Sequence, residues 1–202
     1  MAISYSQIAV ELREVVLKDK PPQLLEISPK ATVPVLQLSN GQVLEESLDI
    51  MHWALKIDDP QKIHLSDLET FQQNELILDN DYKFKKYLDC YKYADRFPEH
   101  EEIFYRRKGE VFLKKLDDIL KHQEFLMGKQ LNVIDLSIFP FIRQFAHVDK
   151  TWFDQAEYKY LRKWLNYILA SDIFNSVMQK FDQWKPSNES LVFPITDHIV
   201  VK

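Results

Sequence analysis

A small α/β unit followed by an all-helical unit is the architecture this sequence predicts, and three observations carry that expectation. Strand-like runs rich in β-branched residues occur only before about Leu65. Beyond that point, long stretches repeat apolar residues at helical spacing. Glycine is scarce, three residues in 202, which disfavours turn-dense all-β folds together with glycine-rich phosphate loops and dinucleotide fingerprints. The expected division is an α/β unit over residues 1–58, a helical bundle over 65–190 and a tail over 191–202.

Taken in order, "IAVELREVVL" (Ile8 to Leu17) alternates loosely and reads as a strand. In "KDKPPQLLEISPKA" a proline stands where a helix can begin, and Pro29 stands where it must have ended. "TVPVLQL" and "QVLEE" are short strands joined by "SNG", whose Asn-Gly is the strongest hairpin signal in the chain. "SLDIMHWALKI" carries a helical stripe of Leu48, Ile50, Met51, Ala54 and Leu55, and Asp58-Asp59-Pro60 stops it.

The second half reads as helices. Leu65, Leu68, Phe71, Leu78 and Tyr82 form one apolar stripe, and Phe112, Leu116, Ile119 and Leu120 another. Asn132 and Asp135 have the spacing of a capping box, a short acceptor at N-cap and a carboxylate at N3. Pro140 lies inside that helix and is expected to kink it. "YLRKWLNYILASDIFNSVMQKF" holds two further helical pieces, with Ser171 or Asp172 capping the second.

Charge and composition narrow the function. A net charge of −5 and a pI near 5.7 argue against a nucleic-acid protein, which would carry a basic footprint. The single cysteine, Cys90, provides no disulfide framework within the chain and fits a reducing compartment. No apolar run has the length of a membrane span, and the start lacks the layout of a secretory signal. A cytoplasmic protein is the expectation.

"KATVPVLQLSNGQVLEESLDI" raises the sharpest functional question, because a central strand should avoid a proline. A cis Val33–Pro34 bond would present the N–H and C=O of Val33 to a ligand in the manner of an added strand. Glu46 and Ser47 then open a helix whose unpaired amides can seat a carboxylate, while Glu46 accepts from an ammonium. The ligand so described is extended, peptide-like and ends in an α-amino acid. Glutathione, γ-glutamyl-cysteinyl-glycine, meets that description.

At these residues the sequence resembles the glutathione transferase family, whose members pair a thioredoxin-like βαβαββα unit with an all-α bundle. "TVPVL" is similar to the family's cis-proline segment and "ESLDI" to its Glu-Ser helix start. Lys20 in "LKDKPP" resembles the lysine that omega-type members direct at glutathione. "LNVIDLSIFPFIRQFA" is similar to the capping box and buried helix of the second domain. The resemblance runs from Met1 to about Trp184. It implies a thioredoxin-like α/β unit lacking its first strand plus a C-terminal helical bundle. It implies glutathione as co-substrate, bound by Val33, Pro34, Glu46, Ser47 and Lys20 in a cleft between the domains, and a homodimer.

The resemblance also has a gap. "MAISYSQ" matches the end of the family's first helix, so the first strand and the catalytic residue, by analogy a cysteine, are expected before Met1. Ser4, Tyr5 and Ser6 would lie at the far end of that helix from the glutathione sulfur and are not assigned to catalysis. The absent strand would leave two sheet edges unpaired. The expectation is that the Ile8–Leu17 strand shifts to pair with "VPVLQL", that another chain covers the gap, or that the natural start lies upstream.

Simpler readings stand beside these. The Val33–Ser47 features also suit a kinked edge strand and an ordinary helix start, and Lys20 also suits a solvated lysine. Cys90, within a helical pattern and with no adjacent histidine, reads as a small buried apolar residue rather than a nucleophile. The six scattered histidines suggest no metal site. Phe84, Tyr87, Tyr91 and Tyr93 are candidates for lining an apolar co-substrate cleft, with helical core as the competing role; lysines interleaved with them could suit single strands, but the net acidity opposes that. Asp117 and Asp118 read as a solvated face. The function expected is that of a glutathione S-transferase-like protein that conjugates glutathione to an electrophile or reduces a mixed disulfide. The alternative is a non-catalytic scaffold or sensor of the same fold; a dithiol reductase is disfavoured because there is no CxxC.

Overall fold

The computed structural model describes residues 1–64, 72 and 74–194. The chain divides into two compact units, Met1–Gln61 with the chain from Asp172 onward, and Lys62–Ser171. The stretch from Asp172, expected partly as bundle and partly as tail, therefore groups with the first unit.

In the first unit a helical turn, α1 (Ala2–Tyr5), is followed by β1 (Val10–Glu11), α2 (Pro22–Ile27), β2 (Leu36–Gln37), β3 (Val43–Leu44) and α3 (Ser47–Ile57). α2 begins after Pro21 with Pro22 in its first turn, where the missing N–H is an orphan in any case. β2 and β3 pair antiparallel, Leu36 with Leu44 and Gln37 with Val43. Their connection is a three-residue loop: Gly41 N–H donates to Leu38 O (2.9 Å) and Leu38 N–H to Gln42 O (2.8 Å). Gly41 adopts φ 87°, the left-handed geometry that a type I turn with a trailing bulge requires. α3 ends at Asp58, with Ile50, Ala54 and Leu55 buried.

The expected strand Ile8–Leu17 is short. Only Val10–Glu11 joins a ladder, and its partner is not "VPVLQL" but β4 (Val192–Phe193), antiparallel, with Val10 opposite Phe193 and Glu11 opposite Val192. A strand extends only as far as its partner does, and here the partner is two residues long. Past Glu14 the chain turns, with Asp19 N–H donating to Val16 O at 2.9 Å.

The second unit is helical: Glu75–Asp79, Lys85–Lys92, Glu102–Leu120, Val133–Val148, Lys150–Gln155 and Lys159–Leu169. Of the first apolar stripe, Leu65, Leu68 and Phe71 lie outside the described residues. Leu78 and Tyr82 of that stripe are exposed, while Leu76, Ile77, Phe84, Leu88 and Tyr91 are buried. Ile77, Phe84, Leu88 and Tyr91 recur at the spacing of a single helical face, and Leu78 and Tyr82 lie off it; a π-helical turn covers Asn80–Phe84. The Lys150–Gln155 helix was not anticipated. Its signal is Asp149, whose side chain accepts from Trp152 N–H. Helical structure ends at Asn175 rather than continuing toward Phe181.

The core of this unit is built on the Val133–Val148 helix, where Val133, Ile134, Ile138, Ile142, Phe145 and Ala146 are fully buried. Its capping box is complete: Asn132 Oδ1 accepts from Ile134 N–H (2.9 Å) and Asp135 Oδ2 from Asn132 N–H (3.0 Å). Asp135 Oδ1 also accepts from Leu126 N–H (2.9 Å) and Trp164 Nε1–H (2.7 Å). Asp117 is no solvated carboxylate. Its Oδ1 accepts from Tyr160 and Leu161 N–H, both at 2.8 Å, capping the Lys159–Leu169 helix from a neighbouring one.

Candidate functional site

The hairpin decides where the first unit gathers its functional groups. Continuing the β2–β3 register beyond the ladder sets Pro34 opposite Glu46 and Val33 opposite Ser47. The proline segment and the start of α3 therefore emerge at the same, open end of the hairpin. The Val33–Pro34 bond is cis. Val33 is 44% exposed, and Pro34, Glu46 and Ser47 are exposed as well. Among the described residues, the N–H and C=O of Val33 enter no backbone hydrogen bond.

Glu46 is the N-cap of α3 in extended conformation, φ −112° and ψ 137°, and its side chain does not cap the helix. Its carbonyl accepts from Ile50 N–H at 3.1 Å. The amides of Ser47 and Leu48 have no acceptor among the described residues. They point along the positive end of the helix dipole, where an anion is favoured.

Two further groups belong to this end and carry no readable local signal. Lys30 Nζ lies 3.6 Å from Glu46 Oε1 and 3.8 Å from Glu45 Oε2. Glu45 Oε1 accepts from the hydroxyl of Ser28, fully buried, at 2.6 Å. Glu45 is thereby anchored to the end of α2 while Glu46 keeps its carboxylate at the surface. The site offers a carboxylate and an ammonium side by side, plus unpaired backbone donors and an acceptor. That set complements a zwitterionic amino-acid headgroup on an extended peptide.

Lys20 is half-buried on the loop before Pro21 and forms no ion pair among the described residues. Ser4 Oγ is hydrogen-bonded to Ser176 Oγ at 2.9 Å. Tyr5 OH accepts from Gln61 N–H (2.9 Å) and reaches Asp59 Oδ1 at 3.4 Å. These contacts tie α1 to the residues just after α3 and to the short helix Asp172–Asn175. Ser6 is buried.

In the second unit Phe84 and Tyr91 are 1% exposed. Phe84 packs its ring 5.0 Å from Phe112 and 5.3 Å from Phe145, and Tyr91 lies 4.9 Å from Phe145. Both rings serve the core. Tyr87 is half-buried, as is Tyr93, which is flanked by Lys92 and Arg96. Cys90 is buried, and burial pushes its thiol up, away from the reactive thiolate. Among the described residues no three His, Cys, Asp or Glu side chains are grouped to hold a metal ion. Nor is any described helix long and apolar enough to cross a membrane.

Comparison with known proteins fits both units. Residues 1–62 match the family model described as glutathione S-transferase, N-terminal domain, and residues 110–166 match glutathione S-transferase, C-terminal domain. A search of curated proteins found no match. Among solved structures, the ternary complex of BphK, a bacterial glutathione transferase, is 20% identical with a TM-score of 0.71, covering 87% of this chain and 88% of that one. The glutathione transferase URE2P6 from Phanerochaete chrysosporium, in complex with oxidized glutathione, is 18% identical with a TM-score of 0.72, covering 86% and 85%. Gtt2 from Saccharomyces cerevisiae is 17% identical with a TM-score of 0.66, covering 86% and 90%. At these identities the structural likeness speaks for the fold, a thioredoxin-like domain followed by a helical domain. Together with the two sequence matches, in the order that fold requires, it places this chain in the glutathione S-transferase family.

Proposed function

We infer that the chain binds glutathione at the open end of the β2–β3 hairpin and serves thiol chemistry there, conjugating glutathione to an electrophile or reducing a mixed disulfide. The observation that carries this reading is the hairpin register, which aligns the unpaired backbone of Val33 with the opening amides of α3. In this reading Val33 pairs with the peptide backbone of the ligand. Ser47 N–H and its hydroxyl hold the γ-glutamyl carboxylate, Glu46 receives the ammonium, and Lys20 faces the other charged end. Solved relatives described in complex with glutathione support the ligand class. Catalysis in such a site consists of favouring the thiolate of the bound tripeptide, which then attacks. A homodimer is part of the same reading.

Titration calorimetry with glutathione tests it. Ser47→Pro is the discriminating variant: it removes both the amide donor and the hydroxyl, yet proline is tolerated at the first helical position and Glu46 already has the extended backbone that a following proline requires. The expected result is binding weakened about tenfold or more, the worth of at least one of the two charge-assisted hydrogen bonds lost, with an unchanged melting temperature. No heat with the parent protein, or equal affinity in Ser47→Pro, would overturn the reading.

A second reading, binding without turnover, is favoured by one observation: the hydroxyls of Ser4 and Tyr5 are engaged within the fold and the Cys90 thiol is buried. Turnover of an aryl halide or of a glutathione mixed disulfide, retained in Cys90→Ser, decides between them.

A further inference from the structure

We propose that the segment Phe181–Phe193 is a clamp that sets the position of Lys20, with Gln183 as the positioning residue; the ligand-facing half of this proposal rests on the glutathione reading above. The segment meets the loop leading to Lys20 along Val10–Glu14 and again at Asp19. Val10 and Glu11 pair with Phe193 and Val192. Leu12 N–H donates to Leu191 O at 2.7 Å, and Trp184 N–H donates to Glu14 O at 2.9 Å. The Arg13 guanidinium lies 4.6 Å from the centre of the Trp184 ring. At the far end, Gln183 Nε2 donates both to Asp19 O (3.0 Å) and to Asp19 Oδ2 (2.9 Å). The Phe181 and Phe193 rings meet edge to face at 6.4 Å, closing the segment on itself.

Lys20 is thus held from both sides. On one side Asp19 is gripped by two hydrogen bonds from a single amide and by its own turn to Val16. On the other, Pro21 and Pro22 have φ fixed by their rings. The ammonium of Lys20 forms no ion pair among the described residues, and on this proposal the clamp presents it to the ligand. An isolated loop of this length would sample many positions, and ordering it in advance removes that entropy from the binding step.

A double-mutant cycle tests the proposal by calorimetry with glutathione on the full chain. Gln183→Ala is expected to weaken binding about fivefold, the worth of roughly one neutral hydrogen bond, and to have no effect when Lys20→Ala is already present. A merely structural role would give the same loss in both backgrounds, and that result would overturn the proposal. Hydrogen exchange supplies a readout independent of the ligand: amides of residues 14–20 should exchange faster in Gln183→Ala and in Trp184→Ala, with α3 unchanged. Unaltered exchange there refutes the clamp itself. If the parent protein takes no glutathione, the ligand reading fails, and faster exchange at residues 14–20 would then uphold the clamp alone.

Discussion

Truncating Asp135 to alanine would strip the acceptor from three buried donors, Leu126 N–H, Asn132 N–H and Trp164 Nε1–H. A buried donor left without its acceptor costs about 1–3 kcal/mol. The three share one small site and do not add fully, so Asp135→Ala should cost about 4 kcal/mol, in the upper tail for point mutants. For a chain of this size that is a fall of roughly 8–16 °C in melting temperature. Asp135→Asn is the sharper probe. An amide oxygen in the Oδ1 position keeps Leu126 and Trp164, and only Asn132 N–H then faces a donor; the expected cost is about 1–2 kcal/mol. Burial raises the Asp135 carboxyl from 3.8 to about 6, with the N–H donors of Leu126, Trp164 and Asn132 pulling the other way. Because the folded value lies above the unfolded one, this group's contribution is fully present below pH 3.8 and lost as pH rises through about 6. Wyman linkage makes it about 1.4 kcal/mol larger at pH 5 than at pH 7.5. Urea unfolding followed by far-UV circular dichroism should therefore show the gap between parent and Asp135→Asn narrowing by that amount over the same range. An Asp135→Asn variant as unstable as Asp135→Ala, or a gap independent of pH, would refute the assignment of the two oxygens.

Three other outcomes follow from the second unit. Gly109→Ala would drive a Cβ into Cε2 and Cζ of Phe145, the latter at 2.8 Å; melting should show a loss of about 1–3 kcal/mol despite alanine's higher helix propensity, with much of it restored by adding Phe145→Leu. Asp117→Ala should cost about 1–2 kcal/mol in urea unfolding by uncapping the Lys159–Leu169 helix, and Asp117→Asn, which keeps an acceptor, well under half of that. Lys115 bridges Glu75 (2.5 Å) and Asp79 (2.6 Å), and its hydrogen bond, then that of Lys83, holds the Asp79 carboxyl below its ordinary value. Lys115→Met should therefore destabilise by about 1 kcal/mol at pH 7. Unfolding curves should show that loss fading as pH falls below the ordinary carboxyl value of 3.8 toward the depressed value of folded Asp79.

Features encoded over a few neighbouring residues were legible. Asn40-Gly41 announced its loop, Asn132 and Asp135 their capping box, and Asp58 the end of α3, because in each case the group that closes the structure lies within four residues of the group it closes. The same holds for Glu46 and Ser47 at the start of a helix. What escaped was non-local. Val10 pairs with Phe193 across nearly the whole chain, and neither two-residue strand has an alternation long enough to identify it. Trp164 reaching Asp135 and Asp117 capping a helix some forty residues on leave no trace in periodicity. The stripe through Leu78 and Tyr82 was misplaced because Ile77, Phe84, Leu88 and Tyr91 offer an equally helical spacing, and periodicity alone does not choose between two such faces. Lys30 was invisible as a site residue because a lysine two residues before a β-branched run has no pattern of its own.

The two units divide the labour of stability and chemistry unevenly. Among the described residues, the buried apolar side chains of the first unit are Ala2, Leu24, Ile50, Ala54 and Leu55, while the rest of that set belongs to the second. With so little apolar burial, the geometry of the first unit depends on directional contacts: the β2–β3 ladder, the Ser28–Glu45 hydrogen bond, the Tyr5 hydroxyl at the end of α3 and the C-terminal segment on the loop before Lys20. Such contacts are each worth about 1 kcal/mol, so local opening in this unit costs little compared with opening the helical core. A ligand that bridges Val33, the start of α3 and Lys20 would join three segments that the apolar core does not hold together. Its binding free energy would then appear directly as added stability of this unit. On the proposed reading, the sparse apolar burial around the site is the physical reason that glutathione binding would be felt as stability of this unit.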